Sequence, residues 1–265
     1  MSEFEDIRYE KDDGVAVVTI DRPDKLNAFR AQTCRELIEA FEDAWADRTI
    51  GAVVLTGAGE RAFCTGGDVS VRGEGGYDGA GSRHDIGLDI EEVHSIIRDI
   101  PKPVIAAVNG YAIGGGHVLH VICDLTIAAD TARFGQVGPK VGSVDPGFGT
   151  AYLARIVGEK KAREFWYLCE QYSAEECRQL GLVNKVVPAA ELMDAAMAWA
   201  QRIVTMSPTA IKLAKQSFNT DSEAIRAVGA LGISAVTLYY GSDEAMEGQR
   251  AFMESRTPDF RQFRR

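Results

Sequence analysis

The sequence predicts an α/β core over residues 1–200 and a helical C-terminal region over 201–265. Three observations carry this. Residues 52–56 (AVVLT) and 104–108 (VIAAV) are nearly all-apolar runs of strand length, the pattern of strands covered on both faces. From Gly149 onward apolar residues recur at helical spacing. Hydrophobic residues make up 46% of 265, enough for a sizeable core, which excludes a disordered tail or a disulfide-dependent mini-protein.

Taken in order, residues 6–20 read as two short strands around the turn Asp12-Asp13-Gly14, the second being 15–20 (VAVVTI). Asp21-Arg22-Pro23 stops it. Thr33 is the expected cap of a helix to about Trp45, with Leu37, Ile38, Phe41 and Trp45 as its apolar stripe. The polar, Gly-rich stretch 66–87 reads as an active-site loop, because a short helix, 89–98, follows at once. Another strand is expected over 122–128. Helices are expected at 150–157, 160–170, 173–180 and 189–205. Ser207-Pro208 opens one more to about Phe218, and helical periodicity continues through 222–255. This last part is small and apolar, so it is expected to pack on another subunit.

The charge balance is 29 Lys+Arg against 39 Asp+Glu, a net of -10, with no long basic stretch. A nucleic-acid backbone or a membrane surface is therefore not the expected partner. No apolar run reaches a spanning length of ~18–20 residues, and the acidic N-terminus does not resemble a signal peptide. Cysteines 34, 64, 123, 169 and 177 match no metal knuckle, so the expectation is a cytoplasmic protein without a metal.

Two segments share a layout of strand end, glycines and helix signal: 62–68 (AFCTGGD) and 109–119 (NGYAIGGGHVL). Glycines leave backbone N–H groups unshielded, and two such donors aimed at one point stabilise an oxyanion. Taken singly, either segment reads equally well as a turn with close packing. Neither fits a P-loop or a dinucleotide fingerprint. A third segment, 134–149 (FGQVGPKVGSVDPGFG), holds five glycines and two prolines, which makes an irregular path around Asp145. Asp145 reads as a turn or cap residue, or as a group that holds a small polar reactant. His117 and His120 share a helix face but do not make a zinc site by themselves. His84 and His94 flank the polar loop and are expected in solvent. Cys64 has no base nearby in sequence, and Asp124 is expected to make structural hydrogen bonds. Of Tyr239 and Tyr240, one packs and one exposes its hydroxyl.

Residues 21–28 (DRPDKLNA), 62–68, 101–106 (PKPVIA), 109–116 and the pair Cys123-Asp124, in that order, resemble the crotonase (enoyl-CoA hydratase/isomerase) superfamily almost end to end. The resemblance implies a crotonase-like ββα spiral core. It also implies a helical C-terminal region that trimerises and completes the active site, in trimers or dimers of trimers. The implied substrate is an acyl-CoA thioester, with CoA as part of the substrate and no other cofactor required. Its carbonyl would sit between the N–H groups of Gly67 and Gly115, where an enolate gains most from fixed donors. Lys25 and Ala28, with Arg22 and Ala62 near them, match the region along CoA, and Gly66, Asp68 and Tyr77 complete the implied binding set.

Hydratases of the family carry two glutamates that hold and deliver water. The matching positions here are Val118 and Gly138, which argues against a plain hydratase and against an isomerase relying on position 138. Two branches lack those glutamates in the same way. One is 1,4-dihydroxy-2-naphthoyl-CoA synthase, which closes a ring by Claisen condensation. The other is 2-ketocyclohexanecarboxyl-CoA hydrolase, which opens one with water. Residues 114–120 (GGGHVLH) and 71–77 (VRGEGGY) resemble the synthase. Residues 57–68, 77–79, 91–94 (EEVH), 135–147, 207–210, 217–219 and 238–240 (LYY) resemble the hydrolase.

More of the chain follows the hydrolase, which implies ring opening of a cyclic β-keto acyl-CoA. Asp145 would activate water, and Tyr240, reaching in from a neighbouring subunit, would hold the ring carbonyl. Ser143 would steady Asp145 or a small anion, such as bicarbonate, admitted by Gly138. The synthase, a general family member, and a non-catalytic acyl-CoA-binding or RNA-binding relative stand as alternatives.

Overall fold

Runs that are apolar on both faces need cover on both faces, and they fold into the middle of a sheet. The computed structural model describes residues 4–73, 76, 77, 79, 82–144 and 147–264. Its strands are β1 (Ile7–Asp12), β2 (Val15–Ile20), β3 (Ala52–Gly57), β4 (Ala62–Cys64), β5 (Arg72–Gly73), β6 (Gly76–Tyr77), β7 (Val104–Val108), β8 (Tyr111–Ile113), β9 (Leu125–Ala129), β10 (Arg133–Gly135), β11 (Tyr172–Ser173) and β12 (Lys185–Val187). The six-stranded sheet has the order β1-β2-β3-β7-β9-β12, with β3 and β7 wholly buried at its centre. Only the β1–β2 hairpin is antiparallel there. A smaller sheet runs β11-β10-β8-β4.

The two sheets are built in step. Each of β3, β7 and β9 leads directly into a short strand of the second sheet, β4, β8 and β10, before a helix follows. This repeat is a ββα spiral, and it brings the loops after β4, β8 and β10 to one end of the second sheet.

Two boundaries differ from the sequence expectation. Ile122 ends the helix Gly115–Ile122, and β9 begins only at Leu125. Asp124 makes the break. Its N–H donates to Val104 O (2.9 Å) and its carboxylate accepts from Val104 N (2.7 Å). The first long helix is Ala31–Ala46 with Arg30 as cap, so Thr33 lies inside it. The buried Thr33 hydroxyl accepts from Arg30 N (3.1 Å) and donates to Asp6 (2.6 Å), which tertiary folding alone supplies. Thr33→Val is expected to cost about 2 kcal/mol, and Thr33→Ser much less, because only the former strands both partners. Urea midpoints compare the two; equal midpoints would remove the hydroxyl's role.

The C-terminal helices Pro208–Asp221, Glu223–Tyr240 and Asp243–Met253 dock on the core of their own chain. The buried Lys215 ammonium donates to Asp124 (2.7 Å), Ile97 O (3.0 Å) and Lys102 O (3.0 Å). All three of its protons are thus satisfied. Arg98 donates to Ser222 Oγ (2.7 Å), and Asn219 returns a bond to Arg98 O (2.7 Å). Asp124 is structural, as its sequence context suggests.

Candidate active site

Two glycine turns meet at the end of the second sheet. After β4, Phe29 N donates to Gly66 O and Asp68 N to Phe29 O, both at 2.8 Å. Those bonds use the neighbours of Gly67 and leave its own N–H on the opposite side of the chain. After β8, Gly115 begins its helix, and a first-turn N–H has no intrahelical acceptor. Gly66 sits at φ +88°, and a Cβ there would come within 2.9 Å of Gly115 N. The contact therefore requires glycine twice over, for conformation and for space.

Gly67, Gly115, Tyr77, Ser143, Val144 and Tyr240 border two connected spaces. The outer cleft, about 440 Å³, runs past Lys25, Ala28, Gly66, Asp68, Gln136, Gly138 and Trp166. The inner chamber, about 100 Å³, is walled mainly by Phe29, Ile86, Leu88, Ile90, Phe148, Ile233 and Val236, with Glu91 and His94 among them. A narrow apolar chamber behind two N–H donors, opening into a long cleft, suits a compact acyl group on an extended carrier.

Tyr240 Oη and Ser143 Oγ are hydrogen-bonded at 2.7 Å. The Arg72 guanidinium lies 4.6 Å from the centre of the Tyr240 ring, and the Tyr77 ring centre is 6.4 Å away. A Cβ on Gly67 would come within 2.2 Å of the Tyr77 hydroxyl, so that phenol stands beside the turn. Burial pushes the Tyr77 hydroxyl well above its usual pKa, and it stays a neutral donor.

The structure rearranges several expected roles. Tyr240 borders the cleft of its own chain, where the helix Glu223–Tyr240 folds back over the core. Arg22 and Ala62 stand behind the cleft wall. The Arg22 guanidinium is taken up by Asp68 (3.0 Å), Asp6 (3.4 Å) and Ala28 O, and Ala62 is buried in β4. Asp68 borders the cleft, but its carboxylate is held by Ser70 Oγ (2.6 Å) and Arg22. Burial opposes ionisation there, yet those bonds keep its pKa below the usual range. Gly138 is crowded. A Cβ would meet Ser143 O at 2.7 Å and Trp166 at 3.0 Å, so any free room lies toward the cleft. Val118 is fully buried. Asp145 lies outside the described residues.

His94, expected in solvent, is 5% exposed. Burial drives its pKa down to about 3. Its place was signalled by spacing, since it falls on the same face as Ile90 and Ile97. Glu91 beside it has a carboxyl pushed above its usual range by burial, with Glu92 adding to this and His84 opposing it. Gln136 also went unnoticed in the sequence. It is buried, and among the described residues neither of its amide atoms has a hydrogen-bond partner.

Cys64 is buried, and burial pushes its thiol up to about 12, which leaves it a poor nucleophile. His117 and His120 are used on each other at 3.0 Å. Among the described residues, His84, Asp89 and Glu92 bring ligand-type atoms within 4.8 Å. Their bonds go to each other or the loop, His84 to Glu92 (2.9 Å) and Asp89 to Ser82 Oγ (2.8 Å) and Arg83 N (2.7 Å). No single helix among the described residues is long and apolar enough to cross a membrane.

Residues 10–264 match the family Enoyl-CoA hydratase/isomerase. Among solved structures, an enoyl-CoA hydratase from Mycobacterium avium subsp. paratuberculosis superposes with a TM-score of 0.86 at 28% identity, covering 97% of this chain and 99% of that one. A carnitinyl-CoA hydratase from Mycobacterium avium gives 0.84 at 32% identity, covering 97% and 98%. An enoyl-CoA hydratase/isomerase from Pseudoalteromonas atlantica gives 0.85 at 25% identity, covering 97% and 100%. Two glycine turns set on a ββα spiral, a cleft leading to them, and a family match over nearly the whole length agree: the chain belongs to the enoyl-CoA hydratase/isomerase (crotonase) family.

Proposed function

We propose that the protein opens the ring of a cyclic β-keto acyl-CoA with water, 2-oxocyclohexane-1-carboxyl-CoA giving pimeloyl-CoA. The frame is the family's chemistry on CoA thioesters. The observation that carries the proposal is the pairing of Tyr240 with Ser143 at the glycine junction; by resemblance, Gly138 in the cleft and the buried Val118 stand where hydratases have glutamates.

A β-keto thioester has two carbonyls, and cleavage between them needs a stabiliser for each. Asp145, assigned by resemblance, takes a proton from water as the oxygen adds to the ring ketone. Tyr240 donates to the resulting alkoxide. Collapse forms a carboxylic acid and breaks the bond to the carbon next to the thioester. The electron pair of that bond becomes the thioester enolate, held by the N–H groups of Gly67 and Gly115. A proton returned to that carbon completes the ring-opened acyl-CoA. Lys25, Ala28, Gly66 and Tyr77 line the route for the CoA portion. The exposed Phe218, Leu231 and Leu238 supply apolar surface for the trimer that the resemblance implies.

Ring closure of o-succinylbenzoyl-CoA is the second reading, favoured by one observation. Gly138 borders the cleft with Gln136 and Trp166, and the family resemblance puts a small anion such as bicarbonate beside a glycine at that position. One assay separates the two. Each ester is offered in parallel and its product weighed. Gain of one water by the cyclic keto ester supports ring opening, and loss of one water from the aromatic ester supports closure. Tight binding of both esters without turnover would overturn both readings and point to an acyl-CoA-binding protein.

A further inference from the structure

One wall of the inner chamber is the helix Glu223–Tyr240, and part of that wall has no side chains. Its buried face carries Gly229, Gly232, Val236 and Tyr240, all of which border the chamber. Glycine is among the least favourable residues in a helix interior, so two on one buried face call for a reason. Backbone conformation is not the reason at Gly229, which holds an ordinary helical φ. Close packing does not supply one either. A Cβ on Gly147 would come within 2.6 Å of Gly229 Cα, which forbids a side chain at 147 and not at 229. A Cβ on Gly229 would instead lie in ordinary contact with the Phe148 ring, at 3.8 Å, and Phe148 is itself a wall of the chamber. What an alanine there would take from the protein is room in the chamber.

We infer that Gly229 is a specificity-determining residue: its missing side chain keeps the chamber deep enough for a ring-sized acyl group. The chamber holds about 100 Å³. An apolar cavity of about 150 Å³ takes up benzene, so this space is on the scale of one small ring. A methyl group added at the wall removes a sizeable share of it. The two glycine turns and the outer cleft are built on other elements and keep their shape. The effect therefore falls on the far end of the acyl group, not on the thioester or the CoA portion. The inference needs an acyl-CoA ligand, which the family supplies, and does not depend on ring opening.

The test compares binding of cyclohexanecarboxyl-CoA and acetyl-CoA, a ring ester and a short one with the same thioester and carrier. The wild-type protein is expected to bind the ring ester more tightly. Gly229→Ala is expected to weaken the ring ester about tenfold or more and to leave acetyl-CoA within about twofold. The melting temperature of the free protein should hold or rise, because alanine favours the helix. Ring-ester binding unchanged in Gly229→Ala overturns the inference, as does equal weakening of both esters, which is the mark of a distorted site. A wild-type preference for acetyl-CoA overturns it too. So does a Gly229→Ala that fails to fold, because packing would then require the glycine. Neither ester has a second carbonyl, so neither can undergo the proposed ring opening, and failure of that reading would leave the result standing.

Discussion

Tyr240→Phe is expected to lower turnover about 10²–10³-fold while leaving acyl-CoA binding nearly intact. The ring would still lie under the Arg72 guanidinium, so the packing at 4.6 Å survives. Only the hydroxyl is lost, and with it the bond to Ser143. In the proposed mechanism that hydroxyl acts on the alkoxide more than on the ground-state ketone, so kcat should fall and KM should hold. Asp145→Asn should likewise abolish turnover and spare binding. Single-turnover rates on the cyclic keto ester, beside a binding isotherm, separate the two quantities. Full turnover in Tyr240→Phe would remove this tyrosine from the chemistry.

The second large effect is acid lability beginning well above the carboxylate range. His94 and His117 are driven down to about 3 by burial, and His120 is lowered by burial and by the charge of His117. In the unfolded chain each ring takes a proton near its ordinary value of about 6.5. The folded pKa values are depressed, so the folded state binds fewer protons below that value. The stability these rings contribute is present above about pH 6.5 and is lost as pH falls toward 3, at up to about 1.4 kcal/mol per pH unit for each ring. By about pH 5 that amounts to roughly 2 kcal/mol each for His94 and His117, with His120 acting in the same direction. Asp6 and Asp68 act lower. Burial works against their ionisation, but bonds from Arg30 and Thr33 to Asp6 and from Ser70 and Arg22 to Asp68 hold both below the usual value. Their share is lost only as pH falls below about 4. Urea midpoints in steps from about pH 7.5 to 5 read the effect. His117→Phe, which keeps an aromatic ring against Phe165, should flatten the slope. A midpoint independent of pH over that range would show that these rings titrate normally.

The legible parts of the fold were those decided locally. The strands β2, β3 and β7 announced themselves because a strand covered on both faces has no polar side to show. The glycine turns were legible because a close approach of two backbones tolerates no other residue. Boundaries were less so. Thr33 looks like a cap in sequence, yet its hydroxyl is engaged by Arg30 and by Asp6, a partner 27 residues away. The segment 21–28 looks like a ligand-binding run. Its Arg22 is taken up by Asp68 and Asp6, and its Asn27 amide holds Ala58 O (3.0 Å) and Ala62 O (2.7 Å), so both serve the loop itself.

By itself the sequence determined the α/β class and the pair of glycine turns, because apolar period and missing side chains act within a few residues; the order of its motifs carried the family resemblance. Only the tertiary structure decided which side chains face the chamber. It turned His94 inward, brought Tyr240 to Ser143 across 97 residues and drew Arg22 out of the cleft. The reason is physical. A polar side chain goes where its desolvation is offset by a partner, and those partners are set by packing between segments far apart in the chain.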